Sequence, residues 1–141
     1  MPYAITQLPN EAAYRQLFLE TYCHPATIHT YDGIRVQFHQ DMFNHCFFES
    51  QNRLIGDKSV FSLVRAERIL WIRDTLMDPT SVLKQGWLKA TKTYDNTRRV
   101  AIVQGDYIVV ILLINPNLAR FITAYKADNS IGKILQSPNW T

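Results

Sequence analysis

Arg98-Arg99-Val100-Ala101-Ile102-Val103-Gln104-Gly105-Asp106-Tyr107-Ile108-Val109-Val110-Ile111-Leu112-Leu113-Ile114 is the stretch that decides the fold. Its first seven residues are rich in β-branched side chains, so 98–104 reads as a strand. Gly105-Asp106 is a two-residue Gly-X loop of the kind that suits a type II′ hairpin. The run from Tyr107 to Ile114 is apolar on both faces, as expected of a strand at a sheet centre. Asn115-Pro116-Asn117 turns the chain again, and 118–126 alternates so that Ala119, Phe121, Thr123 and Tyr125 share one face. With a further candidate strand at 82–87, the second half of the chain reads as an antiparallel meander.

Helical signals lie upstream. Asn10 precedes Glu11-Ala12-Ala13-Tyr14, an N-cap followed by an acidic first turn, and predicts a helix over 11–22 that His24-Pro25 stops. Ile34-Arg35-Val36-Gln37-Phe38 alternates like a half-buried strand after a turn at Tyr31-Asp32-Gly33. Residues 43–49 fit either period, and both put His45 and Glu49 on one face. Ser62 can cap a single helix over 63–77 that Asp78-Pro79 ends, with Trp71 as a core residue, and 131–135 can form a short tail helix. Helices followed by a meander predict an α+β fold, with the helices packed on one sheet face.

The 141 residues, 47% hydrophobic and 19% charged, make one globular domain over 1–141. No run approaches the roughly 18–20 uncharged apolar residues that span a bilayer. Met1-Pro2-Tyr3-Ala4 does not open a secretory signal, so a cytoplasmic protein without membrane contact is expected. Cys23 and Cys46 are too few for a disulfide framework and lack CxxC spacing. His24, His29, His39 and His45 are too scattered to predict a metal site. The absence of GxxxxGK[ST], GxGxxG, GxSxG and HExxH removes the usual support for triphosphate hydrolysis, dinucleotide redox, α/β-hydrolase and zinc-protease chemistry.

Charge is unevenly distributed. Residues 1–50 carry two Lys/Arg against five Asp/Glu, a net of −3, and residues 51–141 carry thirteen against seven, a net of +6. Lys84, Lys89, Lys92, Arg98 and Arg99 face one acid, Asp95, and mark where an anionic partner would dock. Arg65 and Arg68 lie one helical turn apart with no acid three or four residues away. Acids from elsewhere in the fold, water or a phosphate must neutralise them.

His45, Glu49, Arg65, Arg68, Lys92, Tyr94, Arg99, Thr123 and Tyr125 together form an inventory with chemical meaning. Metal-independent RNA cleavage needs a base for the 2′-OH proton, an acid for the departing 5′ oxygen, and cations for the charge developing on phosphorus. These residues can fill those places without a cofactor, and Trp87, Tyr94 and Tyr125 can stack unpaired bases. The inventory is compatible with such chemistry and is not a signature of it.

The succession Phe43-Asn44-His45-Cys46-Phe47-Phe48-Glu49-Ser50, Phe61-Ser62, Arg65-Ala66-Glu67-Arg68-Ile69, Gln85-Gly86-Trp87, Tyr94, Arg98-Arg99-Val100-Ala101 and Phe121-Ile122-Thr123-Ala124-Tyr125 resembles the phage-type barnase/EndoU/colicin/RelE-like nuclease domains. The resemblance covers about residues 34–140 and leaves the first helix and its connection, 1–33, outside. It implies N-terminal helices on an antiparallel four- to five-stranded sheet, and a metal-independent endoribonuclease of toxin or phage-associated type. His45 would be the general acid or base. Arg65, Arg68 and Arg99 would hold the scissile phosphate, with Lys92, Tyr94 and Arg98 beside them in RNA binding and Glu49 in support. Thr123 and Tyr125 would position the phosphate or supply the second proton-transfer group. The implied partners are RNA, such as tRNA or ribosome-bound RNA, and an acidic antitoxin or immunity protein. The alternative is a catalytically inactive RNA- or protein-binding module of the same fold. A metal-dependent DNase is disfavoured, because no clustered Asp/Glu set is present to hold divalent ions.

Overall fold

The structure, a computed structural model, describes residues 4–23, 25–49, 60–88, 93–127 and 131–136. For Glu49, 86–88, 93–100, Ile131 and Lys133 it describes the backbone alone.

Helix α1 (Glu11–Tyr22) begins where the Asn10 side chain accepts a hydrogen bond from the Ala13 N–H at 2.9 Å. Tyr14, Phe18 and Tyr22 recur at four-residue spacing and form its buried stripe. Strands β1 (Ile28–His29) and β2 (Arg35–Gln37) follow, joined by a turn in which Gly33 takes φ +95°. The ambiguous stretch resolves into both structures: α2 (Met42–Phe47), then β3 (Phe48–Glu49), which pairs with β4 (Val60–Phe61). Neither period therefore runs unbroken from His45 to Glu49.

The single helix expected over 63–77 is two, α3 (Leu63–Ala66) and α4 (Ile69–Met77). Ser62 caps α3 by accepting from the Arg65 N–H. The break at Arg68 (φ −100°, ψ 19°) has a hydrogen-bonding cause. Three successive carbonyls accept from outside the helix: Glu67 O from Thr6 N–H, Arg68 O from the Tyr107 hydroxyl, and Ile69 O from the Tyr22 hydroxyl. The Tyr22 oxygen also accepts from Arg73 N–H at 3.0 Å, so it is inserted into the first Ile69-to-Arg73 helical bond of α4.

The expected meander is present as β5 (Val82–Leu88), β6 (Thr93–Gln104), β7 (Tyr107–Asn115) and β8 (Leu118–Lys126), all antiparallel. Gly105 takes φ +64°, as the two-residue β6–β7 loop requires. The tail helix α5 spans Ile131–Leu135. The sheet as a whole corrects the antiparallel four- to five-stranded expectation, since it has six strands in the order β1-β2-β8-β7-β6-β5 and is mixed. After β2 the chain crosses the helical layer, enters at the far edge as β5 and meanders back. Its last strand therefore lies parallel to β2, with Val36 opposite Ala119 and Gln37 opposite Arg120. The coarse class, α+β, holds.

The front face of the sheet carries the main core. Phe18 sits at its centre, with ring centroids of Tyr22, Phe38, Phe43, Phe47 and Phe121 within 6.5 Å. Phe121 is fully buried and Trp71 is 8% exposed, both as core residues. The rear face carries a smaller cluster, Ala101, Val103, Ile108, Val110 and Ala127, against which Ile134 of α5 packs. No helix among the described residues is long and apolar enough to cross a membrane.

Candidate functional site

Two strand ends and two helix ends build the cleft that stands out on this molecule. It has a volume of about 430 Å³ and lies beside β2, lined by Tyr22 and Ala26 after α1, 35–39 of β2 and its continuation, Met42 of α2 and Arg120 of β8. Strand alternation sets its character. Val36 and Phe38 are buried toward the helices, which leaves Arg35, Gln37 and His39 exposed on the alternate positions. Parallel pairing then brings in Arg120, opposite Gln37 and two positions beyond Leu118, the partner of Arg35. Strands about 4.8 Å apart with a two-residue offset leave the Arg35 and Arg120 Cα atoms about 8 Å apart. That spacing lets two arginine side chains converge on one anion. Neither arginine has an ion pair among the described residues.

His39 stands at the lip. Its Nδ1 accepts a hydrogen bond from the Asp41 N–H at 3.2 Å and lies 3.5 Å from the Asp41 carboxylate. With Nδ1 accepting, the neutral imidazole carries its proton on Nε2 and presents a donor. The site thus combines two cations, a proton carrier and the Gln37 amide over an apolar floor, a set able to hold and polarise a phosphate.

The residues singled out from the sequence are divided between the two sides of the sheet. His45, on α2, is exposed on the helical side. Arg65 donates from Nη1 to Cys46 O at 3.2 Å, tying α3 to the end of α2. Arg68 donates from Nη1 to Val64 O at 2.6 Å and stacks 5.0 Å from the Trp71 ring centroid, with its Nε buried and without a hydrogen-bond partner. Both arginines serve the protein's own backbone, a use that no local pattern announces. Thr123 and Tyr125 pair with Val110 and Ile108 on the rear face, and Tyr125 packs on the rear cluster. The β7–β8 hairpin and the sheet itself therefore separate His45 from the two hydroxyls it was grouped with.

Arg98, Arg99 and Tyr94 have their backbones in β6, and Glu49 in β3, but their side chains lie outside the described residues. Lys92 lies wholly outside them, as does Lys89. Lys84 of the same basic group is 9% exposed, buried within β5. Among the described residues no three His, Cys, Asp or Glu side chains gather where they could hold a metal ion.

Arg35 and Arg120 escaped the sequence reading. The local signal was slight: each is a polar position in an alternating strand. What makes them a pair is a parallel contact between segments more than eighty residues apart, which no local pattern announces. Compared with models of known protein families, with curated proteins and with solved structures, the chain matches none.

Proposed function

We propose that this protein binds RNA, gripping the phosphodiester backbone with Arg35 and Arg120 in the cleft between β2 and β8. The observation that carries the reading is the convergence of two exposed arginines, without carboxylate partners among the described residues, on one concave site. Planar guanidinium forks match phosphate oxygens, and each phosphate neutralised releases condensed counterions, which drives binding at low salt. The +6 net charge of residues 51–141 and the resemblance to nuclease domains, which spans both strands, favour RNA among polyanions.

A second reading, metal-independent endoribonuclease, is favoured by one observation, the placement of His39 beside the two arginines. In that reaction a base takes the 2′-OH proton, the 2′ oxygen attacks phosphorus, and the 5′ oxygen leaves with a proton. An imidazole fills one of the two proton-transfer roles, and the guanidinium groups stabilise the charge on phosphorus.

Incubation of labelled RNA with the protein in EDTA, resolved on native and denaturing gels, tests both. Retardation that is lost in Arg120→Ala supports binding at the cleft. Discrete fragments that disappear in His39→Ala while retardation persists support cleavage there. Fragments that survive His39→Ala but vanish in His45→Ala would move catalysis to the helical side, and a protein that neither retards nor cuts RNA contradicts both readings.

A further inference from the structure

We infer that the RNA held in the cleft is unpaired and lies across the rear face of the sheet, transverse to the strands, running from β2 towards β6. This rests on the RNA-binding reading above. Backbone register aligns one row across four strands: Gln37 opposite Arg120, Arg120 opposite Leu112, and Leu112 opposite Arg99. With neighbouring strands about 4.8 Å apart, the Cα atoms of Arg120 and Arg99 are about 10 Å apart with Leu112 between them. The row therefore alternates cation, apolar residue and cation.

The rear face leaves this route open and the other closed. Along the strands towards Ile108 and Val103, the face is occupied by α5, whose Ile134 packs on the rear cluster. Across the strands, Leu112 is partly exposed and Arg120 fully so. The face is also mainly basic. Arg35, Lys84 and Arg120 are on it, and Asp95, opposite Gly86 towards the β5 edge, is the one acidic strand position that alternation puts there among the described residues. Interleaved apolar and cationic positions suit a strand whose bases are free. A duplex buries its bases and offers mainly phosphates, whereas an unpaired strand can rest a base on an apolar side chain while its phosphates reach the flanking arginines. The cleft's volume, near the small end for ligand sites, admits one nucleotide-sized unit and not a double helix.

Fluorescence anisotropy with a labelled 12-nucleotide RNA, single-stranded or annealed to its complement, tests the path. The single strand should bind at least tenfold more tightly than the duplex. Leu112→Glu should weaken single-strand binding by about tenfold and Leu112→Lys should tighten it, since the two introduce opposite charges at the same place. Arg99→Ala should weaken binding and flatten the slope of log affinity against log salt by about 0.7, the value for one phosphate contact on a single strand. Val64→Glu, on the exposed side of α3, should change little. If both Leu112 variants lower the melting temperature, Arg99→Ala alone decides. Equal affinity for duplex and single strand overturns the path. So does an unchanged single-strand affinity in Arg99→Ala when Arg120→Ala is impaired, an outcome that leaves the RNA-binding reading standing. A wild-type protein that binds neither RNA removes the reading and the path together.

Discussion

Replacing Tyr22 by Phe removes one oxygen and tests how the helical layer is held. The hydroxyl donates to Ile69 O at 2.5 Å and accepts from Arg73 N–H at 3.0 Å, in a side chain only 1% exposed. Its loss strands one buried acceptor and one buried donor. At about 1–3 kcal/mol for each unsatisfied group, the unrelaxed cost is about 2–6 kcal/mol. Ile69 O and Arg73 N are the natural partners of an ordinary helical turn, so α4 could instead close that bond itself and reduce the cost to under about 1 kcal/mol. Closure requires the first turn of α4 to shift by the width of the inserted oxygen. Ile69 and Ile72, both 0% exposed, pin that turn in a close-packed core. The unrelaxed figure therefore wins, and Tyr22→Phe should lose about 2 kcal/mol or more. Urea unfolding followed by circular dichroism measures it, with a fall in melting temperature of about 6–10 °C expected for a domain of this size. A loss under about 0.5 kcal/mol would refute the argument and show that the turn closes freely.

Phe18→Ala, which empties the centre of the front aromatic cluster, should cost about 3–5 kcal/mol by urea unfolding; under about 1.5 kcal/mol would mean the surrounding rings collapse into the space. Alkaline stability should fall steeply. Burial pushes the Tyr22 and Tyr107 phenols well above their ordinary value of 10.0, so both stay protonated in the folded chain while the unfolded chain ionises. Their contribution is complete below pH 10 and declines above it, by up to about 1.4 kcal/mol per pH unit for each tyrosine, as a pH series of urea midpoints would show. His45→Ala should leave RNA affinity within about twofold of wild type, because His45 is exposed on α2 and is not among the residues that line the cleft; a tenfold loss in a filter-binding assay would contradict that placement.

Much of the fold was legible because its signals are local. Asn10 and Ser62 cap helices by their own side chains, and Gly105 makes the hairpin its position demands. The apolar run at 107–114 is a central strand, as its two-faced hydrophobicity required. The misreadings come from contacts between distant segments. The break at Arg68 depends on Thr6, Tyr22 and Tyr107 reaching carbonyls that a helix would otherwise bond internally, and nothing in 63–77 itself marks it. Parallel pairing of β2 with β8 is equally nonlocal, and it both changes the sheet from antiparallel to mixed and creates the arginine pair. Tyr14, Phe18 and Tyr22 recur at helical spacing, yet only the structure shows that α1, outside the span of the family resemblance, supplies the centre of the core. The candidate site was the least legible part. Grouping residues by chemical type placed His45 with Thr123 and Tyr125, and the sheet lies between them.

The measurement that bears most directly on the central claim is the salt dependence of RNA affinity for wild-type protein and for the Arg35→Ala/Arg120→Ala double variant. With two phosphate contacts removed, the slope of log affinity against log salt should become shallower by about 1.4, and affinity at 50 mM salt should fall by tenfold or more. An unchanged slope and affinity in a folded double variant would contradict the assignment of the β2–β8 cleft as the RNA-binding site.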